Sequence, residues 1–327
     1  MAPIWRVLYF CCLCRSVDRL TFSARQATLI GLLAVIFFSS VAGLIRSVAE
    51  GLGPVGGAAM IYSLASVLLF FTVGIPKLGS FPRIYLYFGS LLFVSYEICL
   101  SLSLGFAHNH SQSIEVGMVN YLWPSMTILM AVIFKHQKAN LLLIPGMVLS
   151  FAGLCWVLSG NRGLSLVSIA ANVQSNPLSY GLAFAGAIIW SLYCILTSKK
   201  ANGSNGITLF FMLTAATLWI KYAAGSAATL HFTPHAAISL VLAAVALGCG
   251  YAAWNIGILH GNVTVLATAS YFIPIFSSAL AAFILSTPLG ISFWQGAAMV
   301  SLGSLICWRS TRTKVKTVTS VSQQHLD

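Results

Sequence analysis

Ten stretches of close to twenty residues, nearly free of charge, occupy most of this 327-residue chain, at about 27–45, 53–75, 84–107, 114–134, 141–159, 178–198, 205–223, 236–259, 262–285 and 290–308. A helix needs about 20 apolar residues to cross the hydrocarbon core of a bilayer. Inside that core the backbone has to satisfy its own hydrogen bonds, which leaves helices and closed barrels. The stretches are too long for barrel strands, so the pattern predicts an all-α integral membrane protein with ten transmembrane helices. Charged residues make up 7% of the chain, against about 25% in soluble domains, so little remains to build a soluble domain. Turn signals separate the stretches, among them Gly51-Leu-Gly-Pro54, Gly203-Ser-Asn-Gly206 and Thr287-Pro-Leu-Gly290. The longest connection, 160–177, is rich in Asn and Ser and has room for a short surface helix.

The net charge of +12 reads as topology and not as nucleic-acid binding, because the basic residues sit between and outside the apolar stretches. Alternate connections and both ends hold Arg6, Arg15, Arg19, Arg25, Lys77, Arg83, Lys135, Lys138, Lys199, Lys200, Arg309, Arg312, Lys314 and Lys316. The other side holds Arg46, Arg162 and Lys221. The positive-inside rule then places both termini in the cytoplasm and requires an even number of spans. Residues 1–25 are expected to form a cytoplasmic tail: their apolar run is too short to span and lacks a small-residue cleavage site. Residues 309–327 are expected to form a basic cytoplasmic tail. Cys11, Cys12 and Cys14 cluster near the start without the spacing of a zinc site, and Cys155, Cys194 and Cys307 lie in apolar stretches as small core residues.

The two halves of the chain echo each other. Gly117, Asn120, Tyr121, Pro124 and Thr127 recur 150 residues later as Ala267, Ser270, Tyr271, Pro274 and Ser277, and Gly146 and Gly153 recur as Gly296 and Gly303. Each half holds five stretches. Five is odd, so the second half enters from the opposite side: a 5+5 inverted-topology repeat, an arrangement of secondary transporters that places the substrate near mid-depth between the halves. The expected units are 26–160 and 178–308, joined by a periplasmic connection at 161–177. Pro124 and Pro274 lie inside apolar stretches, where proline removes a hydrogen bond and loosens the carbonyl four residues back. Those carbonyls belong to Asn120 and Ser270, so matched helix kinks are expected at one depth.

Five acidic residues are present: Asp18, Glu50, Glu97, Glu115 and Asp327. Glu50 and Glu115 fall near outer helix ends. Glu97 alone is deep, on a stripe with Ser90, Ser101 and Gly105, and an ionisable group at that depth is a functional hypothesis by default; the competing reading is a carboxyl that bridges helices. Tyr96, Tyr121, Trp123 and Trp190 fall near the midplane, with Tyr193 and Tyr251 within a turn or two. Membrane Trp and Tyr usually sit at the interfaces. Central rings either pack a core or line a pocket that stacks on a flat ligand and attracts a cation. Asn255 shares a stripe with Gly248 and Tyr251 and adds a polar handle. No phosphate-binding loop is present, which argues against ATP-driven transport. No Asp-rich metal motif and no nucleophile–base pair is found, so neither a metal, a cofactor nor catalysis is expected. His108 and His110 fall in an outer loop.

The runs Leu91-Leu-Phe-Val-Ser-Tyr-Glu-Ile-Cys-Leu100, Glu115-Val-Gly-Met-Val-Asn-Tyr-Leu-Trp-Pro-Ser125 and Tyr251-Ala-Ala-Trp-Asn-Ile-Gly-Ile-Leu-His-Gly-Asn-Val263 resemble the YddG-type aromatic amino-acid exporters of the drug/metabolite transporter superfamily, which carry two EamA repeats. The resemblance spans about 24–308. It implies a bacterial inner-membrane exporter of Phe, Tyr and Trp, with some members also moving methyl viologen-like cations, and a ring-lined central cavity that takes in Trp123 and Trp190. The residues themselves point to a secondary transporter with an aromatic pocket made from Tyr96, Glu97, Asn120, Tyr121, Trp123, Trp190, Tyr193, Tyr251, Asn255, Ser270 and Tyr271. Three rivals stand beside this reading: a multidrug or other metabolite exporter, an intramembrane lipid enzyme, and a non-transporting sensor. The enzyme lacks clustered acids, and the sensor lacks a soluble domain.

Overall fold

The structure, a computed structural model, describes residues 23–76, 78–134, 138–160, 164–202, 204–225 and 230–311. The expectations for the tail up to residue 22 with its cysteines, for Lys77, Lys135 and Arg162, and for the tail from residue 312 lie outside the described residues. Among the described residues the regular structure is entirely helical. The helices are α1 Ala24–Leu52, α2 Pro54–Thr72, α3 Ser90–Gly105, α4 His110–Asn120, α5 Trp123–Ile133, α6 Leu143–Ser159, α7 Leu166–Ser175, α8 Pro177–Lys200, α9 Ile207–Ala224, α10 Pro234–His260, α11 Val263–Ser270, α12 Ile273–Ile284 and α13 Ile291–Ser310. Eight of the resulting segments are long and apolar enough to cross a membrane, with Tyr85–Gly105 and His110–Ile133 each counted as one. Leu143–Ser159 and Ile273–Ile284 are shorter apolar helices.

Local sequence explains the ends. Ser23 caps α1 in a reciprocal pair with Gln26, which starts the helix before the expected residue 27. The helix also runs past residue 45, because Arg46 and Glu50 pair one turn apart and keep charge inside it. Gly53, with φ at 73°, reverses the chain, and Pro54 opens α2, where a missing N–H costs nothing. The expected surface helix is α7, capped by Ser165, with no buried residue along it.

The proline stripes do not kink continuous helices. At both places the helix is broken: α4 stops at Asn120 and α5 starts at Trp123, and α11 stops at Ser270 and α12 starts at Ile273. Pro124 and Pro274 are each the second residue of a new helix. In a first turn the absent N–H has no intrahelical partner to lose, so proline starts a helix here rather than bending one. Tyr121 and Leu122 make tight turn bonds back to Gly117, Met118 and Val119, and Tyr271 and Phe272 do the same to Thr268 and Ala269.

Helices α1 and α10 run antiparallel along their whole length. The Asn262 N–H donates to Thr28 Oγ1 at 2.8 Å, Gly31 lies against Gly257, Phe38 against Tyr251, Ser47 Oγ is 2.8 Å from Ser239 Oγ, and Gly51 abuts Ala236. The 150-residue offset exchanges this pair with α8 and α3, which also pack together. Likewise α1–α12 exchanges with α8–α5, and α2–α10 with α9–α3, while α2–α9 and α6–α13 map onto themselves. At the α6–α13 crossing the repeated glycines meet: a Cβ on Gly153 would stand 2.7 Å from the Gly296 carbonyl oxygen, and one on Gly296 2.6 Å from that of Gly153. The shared stripe of small residues is therefore a backbone-to-backbone contact.

Other contacts are not exchanged, and one group of them marks the ends of the bundle. Where the 52–54 and 105–110 connections gather, α1 packs on α2, α3 and α4, and α2 packs on α3. Among the described residues their counterparts at the other end, α8 with α9, α10 and α11, and α9 with α10, barely meet. The bundle is closed at one end and parted at the other.

Candidate functional site

The closed end is held by charge. Arg46, mostly buried, donates to the Gly105 and Ala107 carbonyls at the end of α3 and pairs with Glu50 at 3.1 Å. Glu50 Oε1 is 2.6 Å from His110 Nε2 at the start of α4. Glu115 sits lower on α4 and accepts from Asn172 Nδ2 at 2.8 Å and from the Tyr180 hydroxyl at 2.9 Å, which ties α7 and α8 to α4. Glu50 and Glu115 are thus both partnered by named side chains. Among the described residues no group of three or more His, Cys, Asp and Glu side chains gathers as a metal site would require.

Between the ends lies a cavity of about 240 Å³. Both helix breaks open onto it, bringing Asn120, Tyr121 and Trp123 from one half and Ser270 and Ile273 from the other. Helix α3 adds Tyr96 and Glu97, α8 adds Trp190 and Cys194, α10 adds Tyr251 and Trp254, and α1 adds Phe38. A helix break explains how the near neighbours Asn120, Tyr121 and Trp123 all reach one cavity.

The rings form a continuous wall. Tyr96 lies over Trp190 with centroids 4.4 Å apart, and Trp123 meets Trp190 edge-on at 6.3 Å. Tyr193 is stacked on the far side of Trp190 at 5.1 Å, and its hydroxyl is 3.5 Å from that of Tyr85. It backs the wall without lining the cavity. Asn255 is half-buried and Tyr271 packs on Trp308, and neither lines the cavity. Asn255 belongs to the stripe of α10 that includes Tyr251, but its own position turns away from the lining. Tyr271 sits in the turn between α11 and α12, where the backbone leaves the helical register that the stripe assumed.

Glu97 is 1% exposed and both its oxygens are bonded. The Tyr62 hydroxyl donates to Oε2 at 2.6 Å, and the Tyr251 hydroxyl donates to Oε1 at 2.8 Å. Tyr62, itself wholly buried, also lies 3.0 Å from Ser101 Oγ. The expected stripe of Glu97 and Ser101 therefore converges on one phenol of α2. Asn120 is 2% exposed, and its Oδ1 has no hydrogen-bond partner. The carbonyl of Trp123, at the first break, accepts from Ser191 at 3.1 Å.

Sequence reasoning missed Tyr62, Phe93, Trp254 and Phe38. Tyr62 falls midway along the second apolar stretch, so the depth count that selected Tyr96 selects it equally. Phe93 packs on Trp190, Tyr193 and Tyr251 at 5.4–6.1 Å, a role that phenylalanine in an apolar run does not announce.

A multi-pass helical bundle with a cavity at its centre is the form of a membrane transport protein, and residues 177–309 match the EamA-like transporter family. The chain is 58% identical over 288 residues to the aromatic amino acid exporter YddG of Escherichia coli, covering 88% of this chain and 98% of that protein. It is 57% identical to the protein of the same name from Salmonella typhimurium, over 89% of this chain and 100% of that one. A solved structure described only as the crystal structure of a protein matches with a TM-score of 0.60 at 21% identity, over 86% of this chain and 98% of its own; at that identity it speaks for the fold alone. The chain belongs to the YddG family of EamA-like transporters.

Proposed function

We propose that this protein exports aromatic amino acids across the bacterial inner membrane by alternating access, with no enzymatic step. The observation that carries the reading is the mid-depth cavity walled by Trp123, Trp190 and Tyr96, found in a chain 58% identical to a YddG exporter. Flat rings favour offset or edge contacts with other rings, which suits Phe, Tyr and Trp. The proposed substrate-binding set is the lining group Tyr96, Glu97, Asn120, Tyr121, Trp123, Trp190, Tyr251 and Ser270, with Tyr193 as support.

The proposed architecture is ten spans in a 5+5 inverted repeat, with units 26–160 and 178–308. Its support is the exchange of helix contacts by the 150-residue offset. The proposed orientation puts both termini and the parted end in the cytoplasm. Its support is that Arg25, Arg83, Lys138, Lys199, Lys200 and Arg309 gather at the parted end, against Arg46 and Lys221 at the other. In this arrangement substrate enters between the ends of α8 and α10, lays its ring against Trp190 and Trp123, and leaves when the Arg46–Glu50–His110 end parts and the cytoplasmic end closes.

The test is uptake of labelled Phe and Trp into liposomes holding the purified protein, with and without a pH gradient, against empty liposomes. Protein-dependent flux of both is expected. Flux no greater than in empty liposomes under either condition would refute the reading.

A further inference from the structure

A second cavity, of about 490 Å³, opens on the outside of the bundle at its parted end. Its floor is α8, where Leu192, Ile195, Leu196 and Lys199 follow at steps of three and four residues and so form one stripe. That stripe lies roughly 140–240° around the helix from Trp190, on the face turned away from the central cavity. Phe88, in the π turn Tyr85–Gly89 that precedes α3, forms one side, and Phe134, just past the end of α5, forms the other. Both are exposed, as are Leu91 and Ile133 beside them. In a membrane-spanning bundle an apolar surface of this kind faces lipid tails. The groove also has a charged end. Lys199 and Lys200, in the last turn of α8, are exposed and have no ion-pair partner among the described residues. Of the described carboxylates, Glu50 and Glu115 are held at the closed end and Glu97 is buried at mid-depth, so none neutralises the two lysines. The 150-residue offset carries Leu196, Lys199 and Lys200 onto Arg46, Ala49 and Glu50, where Arg46 pairs with Glu50. The basic pair beside an apolar groove therefore belongs to one half of the repeat.

We propose that this groove holds one anionic phospholipid, with an acyl chain along the α8 stripe between Phe88 and Phe134 and the phosphate on Lys199 and Lys200. Lysine stems run along apolar surface while the ammonium reaches the headgroup layer, and basic pockets between spanning helices suit anionic headgroups. A zwitterionic headgroup brings its own ammonium against the two lysines, whereas a net anionic one does not, so the site selects by charge. The inference goes beyond the transport reading and does not depend on it.

The experiment is native mass spectrometry of the detergent-purified protein, titrated with phosphatidylglycerol or with phosphatidylcholine of the same acyl chains. One phosphatidylglycerol is expected to bind roughly 30-fold more tightly than phosphatidylcholine, about 2 kcal/mol, in line with two lysines beside an anionic headgroup. Lys199→Gln with Lys200→Gln should lower phosphatidylglycerol to the level of phosphatidylcholine. Lys138→Gln with Arg309→Gln removes the same charge from the same end outside the groove and should leave binding unchanged. Leu196→Trp fills the groove with both lysines in place and should weaken both lipids severalfold, so the proposal is scored even where the lysine pair variant does not fold. Because lipid retention is read without any flux, failure here is distinct from failure of the transport reading. The proposal is overturned if the two lipids bind alike, if either groove variant retains phosphatidylglycerol as the wild type does, or if the charge-matched pair outside the groove loses it equally.

Discussion

The ion cluster at the closed end makes the strongest quantitative demand on the structure. Arg46 pairs with Glu50, which also holds His110, and the Glu50–His110 contact joins α1 to the start of α4 at the closed end, which has to part in the proposed transport cycle. The 150-residue offset maps Arg46, Glu50 and His110 onto Leu196, Lys200 and His260. These cannot make an ion pair, so under the proposed orientation the cluster stabilises the state closed at the Arg46 end, and these three positions offer the opposite state no equivalent. Arg46 and Glu50 both belong to α1, so the contact that crosses to α4 is Glu50–His110, whose side chains are 39% and 38% exposed. Exposed pairs contribute ~0.2–1 kcal/mol. Glu50→Gln should therefore cost the closed state at most about 1 kcal/mol, a shift of up to roughly fivefold in the ratio of states. Spin labels at His235 and Leu178, exposed at the starts of α10 and α8, should report longer distances in Glu50→Gln by double electron–electron resonance. The double change Leu196→Arg with Lys200→Glu places the missing pair at the cytoplasmic end and should move the population the same way. An unchanged distance distribution in both variants would refute the latch.

Other expectations follow from the same geometry. Trp190→Ala should lower apparent affinity for Phe and Trp severalfold, since an aromatic contact contributes about 1 kcal/mol, while Trp190→Phe keeps a ring and most of the affinity; equal losses in counterflow would assign Trp190 to packing. Gly153→Ala has no room at the α6–α13 crossing and should cost ~1–3 kcal/mol, read as a lower melting temperature in detergent, and an unchanged melting temperature would show that the crossing relaxes freely. Tyr62→Phe leaves a buried Glu97 oxygen without its donor and should cost ~1–3 kcal/mol of stability, whereas Glu97→Gln keeps a bonding group there and should remain folded with its pH dependence of transport flattened. A wild-type pH profile in Glu97→Gln would remove Glu97 from the transport cycle. Ser168 on α7, changed to Cys in a cysteine-free background, should react with an impermeant maleimide from outside the cell; labelling from the cytoplasm alone would overturn the orientation.

The helices were legible in the sequence because apolar length and turn chemistry are local. The existence of all ten apolar segments, and of the extra helix at 166–175, follows from runs that a reader can count. What distance along the chain cannot convey is where a helix stops being continuous. The stripe containing Pro124 has the spacing of one long helix, and proline inside such a stripe reads as a kink. Whether it becomes a kink or a first turn depends on whether the residues before it can close their own turn, as Tyr121 and Leu122 do. The same limit explains Tyr271 and Asn255. Both belong to stripes that assume an unbroken register and a fixed face, and the structure sets both outside the cavity while Trp254, one residue before Asn255, lines it.

The break also explains why the two halves need not be alike to work together. A continuous helix would present Asn120 and Trp123 about 60° apart on one face and turn Tyr121 about 160° away from Trp123, at 100° per residue. The turn at Tyr121 and Leu122 restarts the helix and lets Tyr121 reach the same cavity as the other two. Its counterpart restarts at Ile273 with the smaller Ser270 and no tryptophan. The first break therefore carries the polar acceptor and the ring, while the second leaves space. A pocket at the junction of two related halves becomes selective in this way: the repeat supplies two matched openings in the backbone, and the differing side chains decide which of them holds the ligand. Exchanging the pairs, with Asn120→Ser and Ser270→Asn together, keeps the backbone plan and moves the acceptor to the opposite wall. Transport of Phe should fall in that double variant although its composition is unchanged, and full activity would mean that either wall can serve.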